Sequence, residues 1–332
     1  MFKKKPLRIN SYLGYGTTTR LRAIGRALED ESIDFSGNTN TIKTLRNIYR
    51  QFESDEIKNA DINIKLPNNQ TFNTVTNQEG YYNLDKDIED ISELVDPEGW
   101  IPYSVSYKNI DSAETIQSNV FLGKMLIPSK NVSYGIISDI DDTILHTGVA
   151  SLFKWRVIAN TFFKNFDRRL PLEGTVEFYQ KLKNGVNSQC ANPIFYVSNS
   201  PWNLYDYLTA FLKKHNFPEG PILLRDFRTP FDKTPKPKKP HKQNEILNLL
   251  TIYPHIKFIL IGDSGEKDAD IYTKIAQQYP KRILAIYLRR VNHKRKEKRI
   301  IKIINSYDTT PILLVNSSKE AEEHAKQHGF IN

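Results

Sequence analysis

Asp139 and Asp141 stand one residue apart, followed at once by Asp142 and Thr143, where the apolar run Tyr134-Gly-Ile-Ile-Ser-Asp-Ile140 gives way to a polar stretch. Side chains just past the end of a buried strand are presented at a fixed point on a rigid edge, which is where ligands sit in open α/β sheets. Two carboxylates that close repel each other. A divalent cation relieves that repulsion, and so does a raised pKa that keeps a proton on one of them. Either arrangement sets a nucleophile beside an acid/base.

Three further segments carry matching chemistry in chain order. The apolar Pro193-Ile-Phe-Tyr-Val197 ends in Ser198, Asn199 and Ser200, whose hydroxyl and amide groups are suited to holding phosphate oxygens. Both Ser198 and Ser200 remain candidates for that contact. Lys242 opens an amphipathic stretch through Leu250, where a fixed cation would neutralise charge on a transferring phosphoryl group. Lys238 and Lys239 are its rivals. Finally, Phe258-Ile-Leu-Ile261 runs into Gly262-Asp263-Ser264-Gly265-Glu266-Lys267-Asp268, and hard oxygen ligands of this kind suit Mg²⁺. Taken together, the residue types point to phosphoryl transfer. Asp142 is read as a cap for the next helix, and for Thr143 and Asp268 that role stays open beside a place in the site, since Asp and Thr are common at helix starts.

These segments resemble the haloacid dehalogenase superfamily of phosphatases, whose motifs match Asp139-x-Asp141-x-Thr143, Ser198, Lys242, and Gly262-Asp263 with Asp268. More narrowly, SDIDDTILHTG, FYVSNSPWNLYDYL, HK and FILIGDSGEKDADIY resemble the actin-patch-associated type of phosphatidate phosphatase, over about residues 131–330. The resemblance implies Mg²⁺-dependent removal of phosphate from phosphatidate, giving diacylglycerol and inorganic phosphate. It implies Asp139 as nucleophile, Asp141 as general acid/base and backbone metal ligand, Ser198 and Lys242 as phosphoryl ligands, and Asp139, Asp263 and Asp268 as metal-side carboxylates. Two other readings stay open: a phosphatase of a soluble or nucleic-acid phosphomonoester, and a partner-binding module with a vestigial site.

The elements that must position these residues divide the chain. At 332 residues it is long enough for two domains. Up to about residue 130 it reads as short strands with turn signals, at Arg20–Leu28, Ile62–Leu66, Tyr81–Leu84, Ile101–Lys108 and Thr115–Ile127, with an inserted amphipathic helix over Asn40–Ser54. That pattern predicts a β-sandwich-like domain over 1–130. From 131 to 332, strands alternate with helices, which predicts a Rossmann-like parallel sheet with helices on both faces. Strands are expected at Tyr134–Ile140, Pro193–Ser198, Ile222–Leu224, Phe258–Gly262, Ile283–Leu288 and Pro311–Val315. Helices are expected near Asn203–His215, Gln243–Leu250, Ala269–Tyr279 and Lys319–His328, the last with Ser317 and Glu320 as a capping box. About fifty residues separate the first two motifs, room for a small cap or none.

A 39% hydrophobic fraction with 26% charged residues reads as a soluble globular protein, and no stretch approaches the length of a membrane span. The basic start at Met1-Phe-Lys-Lys-Lys5 lacks the apolar core of a signal peptide, so a cytoplasmic protein is expected. Cys190 is the single cysteine and excludes an intramolecular disulfide. The net charge of +9 is concentrated at Lys233–Lys242 and Arg289–Arg299. The first run reads as a loop over the site mouth. The second is either a solvated face or a contact for an anionic surface. Leu152–Phe163 mixes aromatic and basic residues as an interfacial helix would, or as a core-packed one. The expected partner is a phospholipid met peripherally at a membrane surface; nucleic acid is the weaker reading.

Overall fold

The computed structural model describes residues 5–30, 55–141, 143–144, 171–186, 190–225, 239–265, 267–291, 294–307 and 309–332. The helix expected over Asn40–Ser54, the segment Leu152–Phe163 and most of the Lys233–Lys242 run lie outside the described residues. Two compact units divide between Ser129 and Lys130.

The first unit is built from strands β1 (Leu7–Ser11), β2 (Gly14–Tyr15), β3 (Arg20–Glu29), β4 (Asp61–Lys65), β5 (Thr71–Val75), β6 (Tyr81–Asp87), β7 (Trp100–Tyr107) and β8 (Phe121–Leu126). They form a three-stranded sheet, β1-β3-β6, and a five-stranded sheet, β2-β8-β7-β4-β5. All pairings are antiparallel except β2 with β8. Alternate residues point inward, as Ile62 and Ile64 on β4 and Tyr103, Val105 and Tyr107 on β7 do, and both sheets contribute to one apolar core. The extended stretch expected over Thr115–Ile127 is interrupted. Gln117, Ser118 and Asn119 all take positive φ, a tight turn in which Asn119 Oδ1 accepts a hydrogen bond from Tyr107 N at 2.9 Å, and β8 starts only after it.

The second unit holds a six-stranded sheet of β9 (Gly135–Ser138), β10 (Ile194–Pro201), β11 (Ile222–Arg225), β12 (Phe258–Asp263), β13 (Ile283–Arg289) and β14 (Ile312–Val315). Every pairing in it is parallel. Parallel strands are covered on both faces and so read as continuous apolar runs; β9 and β12 are buried along their whole length. The spatial order is β11-β10-β9-β12-β13-β14. The chain thus builds outward from β9 in one direction, then returns to the other side of β9 and builds outward again. The order reverses between β9 and β12, and in such sheets the crevice at the carboxyl ends of those two strands is the binding position.

Around the sheet lie α1 (Thr175–Asn184), α2 (Tyr205–Lys214), α3 (His241–Ile252), α4 (Asp268–Gln278), α5 (Lys294–Asn305) and α6 (Ser318–Gln327). Neighbouring strand residues show which helices cover which face. Ile261 lines a small cavity with Phe178 and Tyr179 of α1 and Ala321 of α6, whereas the next residue, Gly262, faces Asp268 and Tyr272 of α4. The capping box at α6 forms in part: Ser317 Oγ accepts from Glu320 N at 3.4 Å, but the Glu320 carboxylate reaches back to Asn316 N at 3.0 Å. Helices α1 and α5 had no counterpart in the sequence reading. The α1 signal is present as Thr175, Phe178, Tyr179 and Leu182, buried at helical spacing.

Candidate active site

The reversal point of the sheet brings the expected residues together from three elements. Asp139 follows β9 and continues its ladder, its N–H donating to Ile261 O at 2.8 Å. Asp263 is the last residue of β12, in the adjacent strand. Asp268 is the first residue of α4. Each offers a carboxylate oxygen, and these three oxygens lie within 4.8 Å of one another with all three residues buried.

Lys242, the second residue of α3, extends its ammonium into this group. Nζ lies 2.8 Å from Asp139 Oδ1 and 2.7 Å from Asp268 Oδ1. A lysine only 1% exposed needs such partners, because a buried charge without a counter-ion is costly. All three carboxylates also accept from backbone or hydroxyl donors. Gly265 N donates a short hydrogen bond to Asp263 Oδ1, and Asp263 N donates to Asp268 Oδ2 at 3.4 Å. Thr143 Oγ1 donates to Asp139 Oδ2 at 3.3 Å, so Thr143 supports a site carboxylate directly.

Asp141 is half-buried, and its carboxylate points to β10 rather than to the buried trio. Ser198 Oγ donates to Asp141 Oδ2 at 2.6 Å and Ser200 Oγ to the same oxygen at 3.3 Å. Ser200 N in turn donates to Ser198 Oγ at 2.9 Å. The pairing of β10 with β11 shifts register between Val197 and Pro201, the kind of local irregularity that re-aims side chains at a sheet edge. Both serines therefore face Asp141, and the rivalry between them is not decided by which one reaches the site.

Burial is the first reason that the Asp139 carboxyl is held well above the usual carboxylate range. Lys242 pulls the other way, while Asp268, Asp141 and Asp263 add to the rise. One ammonium among four aspartates leaves the cluster in need of further positive charge. The donors are all hard oxygens, most of them carboxylate, and a divalent cation such as Mg²⁺ fits that set. Asp139, Asp263 and Asp268 are the side chains that would hold it.

Ser138 and Tyr179, to which the sequence reading gave no role, belong to the same edge. Ser138 Oγ donates to Asp139 O at 2.7 Å and lies 2.6 Å from Tyr179 Oη on α1. Gly262 makes room for the trio: a Cβ there would sit 2.5 Å from Asp268 Oδ2 and 2.8 Å from the Tyr272 ring. The glycine was visible in the sequence as part of the motif, but Tyr179 carries no local signal that it meets Ser138 across the fold. His241, next to Lys242, lies 3.4 Å from Leu223 O and has no place in the carboxylate cluster.

Comparison with known proteins shows what this chain is similar to. Residues 134–290 match the family model of the phosphatidate phosphatase APP1 catalytic domain. That span contains Asp139, Asp141, Thr143, Ser198, Lys242, Asp263 and Asp268. Phosphatidate phosphatase APP1 of Saccharomyces cerevisiae is 34% identical over 198 residues, which is 58% of this chain and 31% of that protein. An uncharacterized protein of Schizosaccharomyces pombe is 28% identical over 256 residues, 74% of this chain and 39% of that protein. This chain thus spans well under half the length of either relative. A ferredoxin-NADP+ reductase from Plasmodium falciparum aligns over 86% of this chain and 94% of that one at 10% identity, and its TM-score of 0.20 carries no argument.

Proposed function

We propose that this chain is a Mg²⁺-dependent phosphatidate phosphatase of the haloacid dehalogenase type. The observation that carries the reading is the buried meeting of Asp139, Asp263, Asp268 and Lys242 at the carboxyl ends of β9 and β12. The match of residues 134–290 and the name of the yeast relative supply the substrate.

In this mechanism an Asp139 carboxylate oxygen attacks phosphorus in line, and the bond from phosphorus to the glycerol oxygen breaks. Asp141, protonated at the outset, gives its proton to that leaving oxygen. Water then attacks the aspartyl phosphate and loses a proton to Asp141, which frees inorganic phosphate and regenerates Asp139. Ser198 and Ser200, now donating to Asp141, orient its carboxyl group. Lys242 and Ser198 are the groups that bind phosphoryl oxygens. A bound divalent cation would shield the carboxylates so that an anionic phosphate can approach them.

The N-terminal unit we read as a β-sandwich-like domain over 1–130, supported by two sheets sharing one core, and 131–332 as the phosphatase domain with a small cap or none. A cytoplasmic enzyme working peripherally on a membrane agrees with the absence, among the described residues, of any helix long and apolar enough to cross one.

Phosphate release by the purified protein from phosphatidate in mixed micelles, set against soluble phosphomonoesters with and without Mg²⁺, tests the reading. Preference for the lipid, with rates that fall as the micelle surface is diluted, is the expected result. Equal turnover of soluble monoesters without surface dependence would replace it with the soluble-substrate reading.

A further inference from the structure

Helix α5 begins just past β13, whose last residue, Arg289, is paired with Asp263, so it departs from the sheet edge that bears the candidate site. Its inner side is apolar: Ile300 is buried, and Ile303 and Ile304 are half-buried. An ion pair ties it to α4, with Arg299 Nη1 2.6 Å from Asp270 Oδ2, two residues after Asp268. Arg290, in the approach to the helix, lies 3.5 Å from Glu297.

The outer side is different. Lys298 and Lys302 stand four residues apart, the spacing that keeps positions on one helix face. Lys298 and Lys302 are exposed, and unlike Arg290 and Arg299 they have no acidic partner among the described residues. Between them in sequence stands Ile301, 41% exposed, one of few large apolar side chains left open to solvent among the described residues. Cations with an uncovered aliphatic side chain beside them are the composition of a helix that lies in a lipid interface.

We propose that α5 docks this protein on an anionic membrane surface through Lys298, Ile301 and Lys302, next to the site edge. The choice of a lipid surface rests on the proposed phosphatidate reading and on Ile301. A polyphosphate partner would be met by the lysines alone, whereas hydrocarbon also rewards burial of the isoleucine. Docking here holds the carboxyl edge of the sheet near the headgroups, where a phosphomonoester lipid is presented.

Binding of the full chain to vesicles of phosphatidylcholine with about one-fifth phosphatidylserine tests this, because phosphatidylserine carries no phosphomonoester and its capture does not depend on the site. The double variant Lys298→Gln/Lys302→Gln should bind about 30-fold more weakly, since each basic residue near an anionic surface contributes roughly fivefold. Ile301→Ser should bind several-fold more weakly while melting at the same temperature as the parent. Unchanged vesicle binding by the double variant overturns the proposal. So does a parent protein that binds a phosphodiester oligonucleotide as tightly as the vesicles and an Ile301→Ser variant that binds both as the parent does. Vesicle binding that falls as expected, in a protein that never releases phosphate from phosphatidate, supports the docking helix and removes only the phosphatase reading.

Discussion

The Lys242 ammonium lies between two buried carboxylates, 2.7 Å from Asp268 Oδ1 and 2.8 Å from Asp139 Oδ1. Removing the one cation of a buried cluster leaves its carboxylates uncompensated, which typically costs about 3–5 kcal/mol. Lys242→Met should therefore lower unfolding stability by that order in denaturant titrations. Added Mg²⁺ should recover part of the loss, since a dication supplies the missing positive charge.

Asp139→Asn separates chemistry from folding. Removing the nucleophile should cut phosphate release by at least about 10³-fold. Stability should move the other way in the absence of metal. Because burial, chiefly, raises the folded-state pKa of Asp139, the native protein holds this proton more tightly than the unfolded chain does. Stability is accordingly lost as pH rises above the unfolded value. Asparagine cannot ionise, so the variant should melt at or above the parent temperature at neutral pH, as calorimetry would show.

Gly262→Ala probes how closely α4 approaches β12. The added methyl meets Asp268 Oδ2 at 2.5 Å and backs onto Tyr272, so the start of α4 must shift. We expect about 1–3 kcal/mol of destabilisation. The stabilising effect of Mg²⁺ should also weaken, because Asp268 is displaced from Asp139 and Asp263. A variant with the parent's metal response would show that Asp268 is not a metal-side group.

His241 gives the second unit an acid-sensitive point. Burial lowers its pKa from 6.5 to about 4, with a smaller opposing effect from its contact with Leu223 O and further lowering by Arg225 and Lys242. The folded protein keeps the ring neutral while the unfolded chain protonates it, so stability falls as pH drops from about 6.5 to about 4. The full effect is on the order of 3 kcal/mol. Chemical denaturation across that window should be flatter for His241→Gln than for the parent.

Metal removal should show in folding as well as in rate. A ligand that binds only the folded protein stabilises it by about 3 kcal/mol at a hundred times its dissociation constant. The parent should melt higher in Mg²⁺ than in chelator. For Asp263→Asn the difference should largely vanish, because one of the three clustered carboxylates is gone.

Much of the second unit was written locally. The apolar runs ending at Asp139, Ser198 and Asp263 read as strands because parallel strands are buried on both faces, and each ends in polar residues where the sheet meets its crevice. Residue type and order along the chain thus determined which side chains gather at the edge, and pointed to phosphoryl chemistry. Proximity was decided only in three dimensions. The return of the chain from β11 to β12 sets β12 against β9, so Asp139 and Asp263, more than a hundred residues apart, bring carboxylate oxygens within 4.8 Å of each other. The Tyr179–Ser138 contact and the pairing of Ser198 with Asp141 depend on the same packing, as does the exposure of Ile301 on α5. Neighbours along the chain carry no record of such contacts, because a buried charge or hydroxyl is satisfied by whichever element the fold lays beside it.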